Sequence, residues 1–241
     1  LPNEDEWTRD AKELEAKFTD DGYAPVIMYA QDDADEQASQ VSDMTEEGVS
    51  AMVIAPVDPY GLSEELKAAK EAEIPVIAYD DLIMNTDALK YYVTFGGRQI
   101  GQLIGQEIID KEELEKLQEA KESKTIEFFM GSLDDEQALF FYNGLMEKLQ
   151  PYLDDGTLVC KSGQITFEET GILRWSMDEA QSQAEETLSE FYSDTETPDI
   201  ICTGFDGAAE GVLKALRNDG LTLGENWPMI TGVGCDADAV R

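Results

Sequence analysis

The chain has 241 residues, of which 42% are hydrophobic and 29% charged, the composition of a folded globular protein with room for one large core or two lobes. Its 17 Lys and Arg stand against 53 Asp and Glu, a net charge of −36, and it has no histidine. The negative field argues against nucleic-acid and anionic-membrane partners, and the missing imidazole removes Ser-His-Asp and Cys-His catalysis and His-ligated zinc.

In chain order, Asp5–Phe18 predicts a helix and the apolar run Pro25-Val-Ile-Met-Tyr-Ala30 a strand. A polar helix opens at Asp33, with Glu36 placed for a capping box. Ser50–Ala55, closed by Pro56, reads as a strand, and Leu62, Leu66 and Ala69 as one helical face. Ile74–Tyr79 and Tyr91–Phe95 are again strand-like.

A second series follows. Ile100, Leu103, Ile104 and Ile108 make a helical face, Thr125–Met130 a strand, and Ala138, Phe141, Leu145 and Leu149 another helix. Thr157–Cys160 reads as a strand, Ala180–Tyr192 as a helix and Asp199–Thr203 as a strand. Ala209, Val212, Leu213 and Leu216 line a helix ending near Gly220, and Met229–Val233 is the last strand. Short β-branched strands separated by helices predict an α/β fold with parallel sheets buried on both faces. The break at Gly96-Gly97 favours two lobes, 1–95 and 96–233.

No apolar run reaches the ~18 residues of a membrane span, and no signal peptide is visible ahead of Leu1-Pro2. Cys160, Cys202 and Cys235 lie far apart without a CxxC, so a disulfide framework is not expected, and Cys202 reads as a small core residue. Parallel sheets present ligands at the carboxyl ends of their strands. Acids stand there repeatedly: Asp80-Asp81, Asp134-Asp135, Asp206 and Asp236. In so acidic a chain each is also readable as a solvated loop residue or a helix N-cap. Adjacent acids do not establish the carboxyl pair of a glycoside hydrolase. No GxxxxGK[ST], GxGxxG or DxDxDG motif occurs, so neither nucleotide chemistry nor an EF-hand is indicated. No catalytic residue, metal or cofactor is expected.

Several segments are familiar in order. They are Gln31–Met44, Gly48–Pro56, Ile74–Ile83, Gly131-Ser-Leu-Asp-Asp-Glu-Gln-Ala-Leu-Phe-Phe141, Gln150-Pro-Tyr152, Arg174-Trp175 and Gly234-Cys-Asp-Ala-Asp238. Together they resemble the monosaccharide-binding proteins of bacterial ABC importers, in the D-xylose-binding and multiple-sugar-binding branch. The resemblance covers nearly the whole chain. It implies two Rossmann-like lobes with a hinge between them, the type I periplasmic binding protein architecture, with 234–241 as a hinge crossing back to the N-terminal lobe. Against that pattern the first strand and the C-terminal segment are missing. It implies no catalysis. A monosaccharide, an aldopentose or aldohexose, would be captured in the interlobe cleft and delivered to a membrane permease by a monomer. That protein would be extracytoplasmic, in a periplasm or lipid-anchored outside a Gram-positive membrane. The alternative is a sensing module of the same fold, feeding a chemoreceptor or histidine kinase.

The resemblance also implies roles. Carboxylates accept sugar hydroxyls in charge-assisted bonds, and flat rings cover C–H faces. Trp7 and Trp175 fall where the family stacks aromatics; Asp80, Asp135, Gln137, Asp206 and Asp236 would bond hydroxyls, and Arg174 would donate. Phe140 and Phe141 read mostly as core. Glu6, Asp81 and Phe205 stand where relatives often carry Arg, Arg and Asn. If these three face the ligand, the pocket is unusually acidic and an aminated ligand is conceivable. If Glu6 and Asp81 face solvent, the ligand is an ordinary aldose.

Overall fold

Two compact units, Asn3–Phe95 and Gly96–Arg241, divide the chain. The computed structural model describes residues 4–192, 196–218, 220 and 227–234, with side chains from Trp7 onward. The expected hinge crossing beyond Gly234, with Cys235 and Asp236, lies outside the described residues, as does the side chain of Glu6.

The first unit begins with helix α1 (Glu4–Asp20) and helix α2 (Ala34–Glu47). Asp33 caps α2, accepting hydrogen bonds from the Asp35 and Glu36 N–H groups, and Gly48 closes it in the left-handed conformation. Strand β1 (Met52–Ile54), helix α3 (Ser63–Glu71), β2 (Val76–Tyr79) and β3 (Leu89–Val93) follow. The strands form a parallel sheet in the order β1-β2-β3. Met52, Ile54, Val76 and Ala78 point to one face and bury against Val41 of α2 and Leu66 and Ala69 of α3.

The run 25–30 is a correction to the expected strands. It pairs with no strand among the described residues, and Val26 and Tyr29 stay 58% and 48% exposed. Apolar composition suits a strand, but a strand exists only when its amides and carbonyls find a partner ladder. Here no described strand lies beside it.

The second unit holds α4 (Gly97–Lys111), α5 (Leu114–Ala120), β4 (Lys124–Phe129) and α6 (Glu136–Asp154). Next come β5 (Leu158–Val159), the short helix α7 (Phe167–Thr170) and a single 3₁₀ turn (Leu173–Trp175). Then come α8 (Met177–Phe191), β6 (Ile200–Thr203), α9 (Asp206–Asn218) and β7 (Met229–Ile230). The parallel sheet runs β5-β4-β6-β7. Strand alternation divides its side chains between two cores. Ile126, Phe128, Ile200 and Cys202 bury among α4, α5 and α6, while Phe129 and Ile201 bury among α8 and α9. Burial on both faces explains why these strands read as continuous apolar runs, and Cys202 is the core residue expected.

Helices α4 and α6 approach until their backbones touch. A Cβ at Gly101 would stand 2.0 Å from the Phe141 carbonyl oxygen, and one at Gly144 2.0 Å from that of Arg98. Helix propensity alone favours alanine over glycine by ~1 kcal/mol. The contact reverses the sign: Gly144→Ala should lower stability by about 1–3 kcal/mol, because rigid backbone must move to admit the methyl. The check is the urea midpoint of the variant against the parent.

Candidate functional site

In the first unit the candidate residues gather at the carboxyl end of β2. Asp80 follows Tyr79 with φ 66, a left-handed conformation that aspartate tolerates. Its backbone is pinned twice to the neighbouring strand: the Asp80 N–H donates to the Val93 carbonyl at 2.8 Å, and the Tyr92 hydroxyl donates to the Asp80 carbonyl at 2.9 Å. The main chain of Asp80 is thereby tied to β3. Asp81 turns back, its N–H bonding the Tyr79 carbonyl at 2.9 Å. The Tyr79 hydroxyl donates to Asp10 at 3.0 Å. Asp10 lies one turn after Trp7, so that turn of α1 is held over the end of β2, with Trp7 half-buried.

In the second unit the sheet ends at 129–132 and 203–206, and Gly204 donates to the Phe129 carbonyl at 2.9 Å. Beyond β4 the chain is stitched to the segment carrying Trp175. The Met130 N–H donates to the Thr170 carbonyl at 2.7 Å and the Ile172 N–H to the Gly131 carbonyl at 3.1 Å. The Arg174 N–H donates to the Ser132 hydroxyl oxygen at 2.7 Å. The Ser132 hydroxyl in turn donates to Asp134. These bonds support consecutive left-handed residues, Arg174 at φ 55 and Trp175 at φ 54. Each costs about 1–2 kcal/mol in a residue with a Cβ.

Trp175 is half-buried, and its ring sits over Gly131, where a Cβ would come within 2.5 Å of it. Its ring meets Phe205 edge to face, with centroids 5.2 Å apart and planes at 88°. Its indole lies near enough to the Asp135 carboxylate to favour the charged form of that group. Asp135 is also the N-cap of α6, accepting from the Gln137 N–H at 2.7 Å. Burial raises the Asp135 pKa above the ordinary carboxylate value and the neighbouring Asp134 adds to the rise, against the lowering from the Gln137 and Ala138 amides and from Trp175.

The structure thus brings Asp135, Trp175 and Phe205 into contact and places Arg174 beside them on the same turn, its side chain exposed. Gln137 lies in the first turn of α6, its side chain over Gly97 at the start of α4. Asp206, the buried first residue of α9, faces the turn after β7, where Cβ atoms at Gly232 and Gly234 would stand 2.6 and 3.1 Å from its carboxylate oxygens. Phe141 is core, whereas Phe140 is 40% exposed.

Sequence reasoning passed over two polar residues, one at this site and one away from it. Ser132 joins the two stitched segments, and nothing in its type announced that. Glu127 is 2% exposed inside β4 and accepts from the Ser162 amide at 3.1 Å, the Ser162 hydroxyl at 2.5 Å and the Tyr192 hydroxyl at 2.8 Å. Its signal was visible as a lone charge in the strand Thr125–Met130. Burial pushes the nearby Cys160 thiol up to about 11, and Glu127 adds to the rise, so it carries little thiolate at neutral pH. No group of acids and thiols among the described residues could hold a metal.

A polar acceptor beside a half-exposed flat ring suits a small molecule with hydroxyls on its rim and C–H groups on its face. Comparisons with known proteins point the same way. A family model described as periplasmic binding protein domain matches residues 2–241. The multiple sugar-binding periplasmic receptor ChvE of Rhizobium radiobacter is 37% identical over 236 residues, covering 98% of this chain and 66% of the relative. The multiple sugar-binding periplasmic protein SbpA of Azospirillum brasilense is 34% identical over 236 residues, covering 98% of this chain and 65% of its own. The crystal structure of an ABC transporter solute binding protein from Clostridium phytofermentans with bound β-D-glucose has a TM-score of 0.83 at 37% identity, covering 98% of this chain and 72% of that one. The chain spans about two thirds of the length of the curated relatives it matches.

Because its pKa is raised in the fold, Asp135 binds a proton more readily folded than unfolded. Its ionisation therefore costs stability as pH rises through the window above the ordinary Asp value. Asn caps a helix as well as Asp does. Asp135→Asn is accordingly expected to be no less stable than the parent at neutral pH, with any advantage shrinking toward about pH 4. Asp135→Ala, which loses the cap, should be less stable by about 1 kcal/mol. Chemical denaturation of the three proteins at both pH values checks this.

Proposed function

The chain belongs to the periplasmic binding protein domain family, with its type I α/β fold of parallel sheets and helices, and from that premise we propose that it is an extracytoplasmic solute-binding protein for a monosaccharide. The resemblance read from the motifs, to the sugar-binding branch, is borne out by the relatives. The ligand is an aldopentose or aldohexose, captured and delivered by a monomer to the permease of an ABC importer. Binding is the output, with no chemistry performed on the sugar. The observation that carries this reading is the half-exposed Trp175 ring held beside the Asp135 carboxylate at the strand ends of the second unit. The pinned Asp80 of the first unit supplies an acceptor of the same kind.

In this reading the residues divide the work. Trp175 and Trp7 cover C–H faces, Asp80, Asp135, Gln137, Asp206 and Asp236 engage hydroxyls, and Arg174 donates. The protein resides in a periplasm or is lipid-anchored on the outer face of a membrane; no helix among the described residues is long and apolar enough to cross one. A second reading, a sensing module of the same fold, is favoured by one observation: the Rhizobium relative is named a receptor.

The test is a thermal-shift screen over aldoses, amino sugars and polyamines. A saturating aldose should raise the melting temperature, since a ligand at about 100 times its Kd stabilises by about 2.7 kcal/mol. Asp80→Ala and Trp175→Ala should each abolish the shift while leaving the circular dichroism unchanged. An unaltered shift in both variants would put the site elsewhere. A preference for amino sugars or polyamines would place Glu6 and Asp81 against the ligand.

A further inference from the structure

The geometry points to Phe205 as a positioning residue that sets the tilt of the Trp175 ring; this rests on the reading of Trp175 as the surface on which the sugar lies. The two rings form a bracketed pair. Under Trp175 lies Gly131, where a Cβ would approach the ring carbons Cη2 and Cζ3 to 2.5 Å. Behind Phe205 lies Gly207, where a Cβ would approach the ring carbon Cε2 to 2.9 Å. Neither glycine has a positive φ, so at both positions ring space, not backbone conformation, is what a side chain would take away. On the Trp175 side the pair is held by the anchored turn at Arg174, whose N–H donates to the Ser132 hydroxyl oxygen at 2.7 Å.

An edge-to-face contact constrains one ring plane against the other, because the positive edge of one ring seeks the negative face of its neighbour. At 88° and 5.2 Å the Trp175 plane is determined by where Phe205 stands, and Phe205 stands where the backbone bonds of Gly204 and Asp206 put it. The ring is accordingly pre-aimed before any ligand arrives, and binding spares the cost of ordering it. Phe205 therefore acts on the sugar through Trp175. A hydrogen-bonding side chain at 205 would supply a polar group in place of that edge.

The test uses the full chain labelled with ¹⁵N. Trp175 is identified among the indole N–H signals by Trp175→Phe, and its exchange with water is measured without ligand, a rate that loss of a ring current does not itself change. Affinity is measured by calorimetry with D-glucose. In Phe205→Leu the Trp175 indole should exchange several-fold faster as the half-buried ring is freed to tilt toward water, and affinity should fall about three- to tenfold, the size of one aromatic pair. Phe205→Tyr, which keeps the edge, should retain both. Gly207→Ala, whose methyl meets Phe205 and the Met177 side chain, should move exchange and affinity in the same direction as Phe205→Leu. Unchanged exchange in both Phe205→Leu and Gly207→Ala overturns the assignment, as does lost affinity with exchange unmoved, which would make Phe205 a direct ligand contact. If the parent binds no aldose, the functional reading fails, while the exchange rates still decide whether Phe205 holds the ring.

Discussion

Three hydrogen bonds along one edge, from Met130 and Ile172 to backbone carbonyls and from Arg174 to the Ser132 hydroxyl, hold together the part of the second unit on which its candidate site depends. They continue β4 beyond its last strand residue as an irregular pairing with the 170–174 segment. Without them the adjacent left-handed residues Arg174 and Trp175 would relax, since each is strained by its Cβ. With them, the strained turn projects an indole over a glycine beside a carboxylate. The strain is localised at the site, and a buried serine and main-chain amides offset it.

The same unit shows how a buried charge is accommodated away from the site. Glu127 points to the face of the sheet that carries α8, and it is satisfied by one amide and two hydroxyls. Each bond to a carboxylate is stronger than a neutral one. The network ties the loop after β5 to the end of α8 through Tyr192, whose ring also lies 4.6 Å from the Lys161 ammonium. Burial, with the Glu127 charge adding to it, raises the Tyr192 phenol well above its usual value, so it remains a donor at any physiological pH.

The acidic excess is mostly a surface property. Among the described ion pairs, Arg98–Glu147, Lys116–Glu113 and Lys70–Asp87 join exposed side chains, and such pairs contribute little to stability. Several exposed carboxyls instead lie below the usual range because neighbours donate to them: Glu169 from the Thr166 and Ile165 amides and the Thr166 hydroxyl, Glu185 from Gln181 and Asn218. Asp135 departs in the other direction, held up by burial. That contrast separates it from the many acids that only solvate the chain, and sequence cannot express it, because both kinds are written as Asp or Glu.

What the order of residues determined is the α/β alternation and the acids at strand ends. Short apolar runs rich in β-branched residues read as buried strands, and helical periodicity between them predicts parallel crossovers. The helix starts at Asp33 and the core role of Cys202 were equally legible, because capping and small apolar character are local properties. The motifs also carried the family, since they occur in order along nearly the whole chain. Pairing was not legible: residues 25–30 have the composition of a strand and lack a described partner, and a ladder depends on what lies beside a segment, not on the segment. Nor was the meeting of Trp175 with Phe205 and Asp135, whose residues are separated by 30 to 70 positions on the order of a whole βαβ unit and come together only because the turn before α8 is bonded to the loop after β4, beside the loop after β6. Sequence names the side chains available at that edge; the tertiary structure alone decides which of them touch, since distance and ring tilt are set by backbone hydrogen bonds between segments remote in the chain.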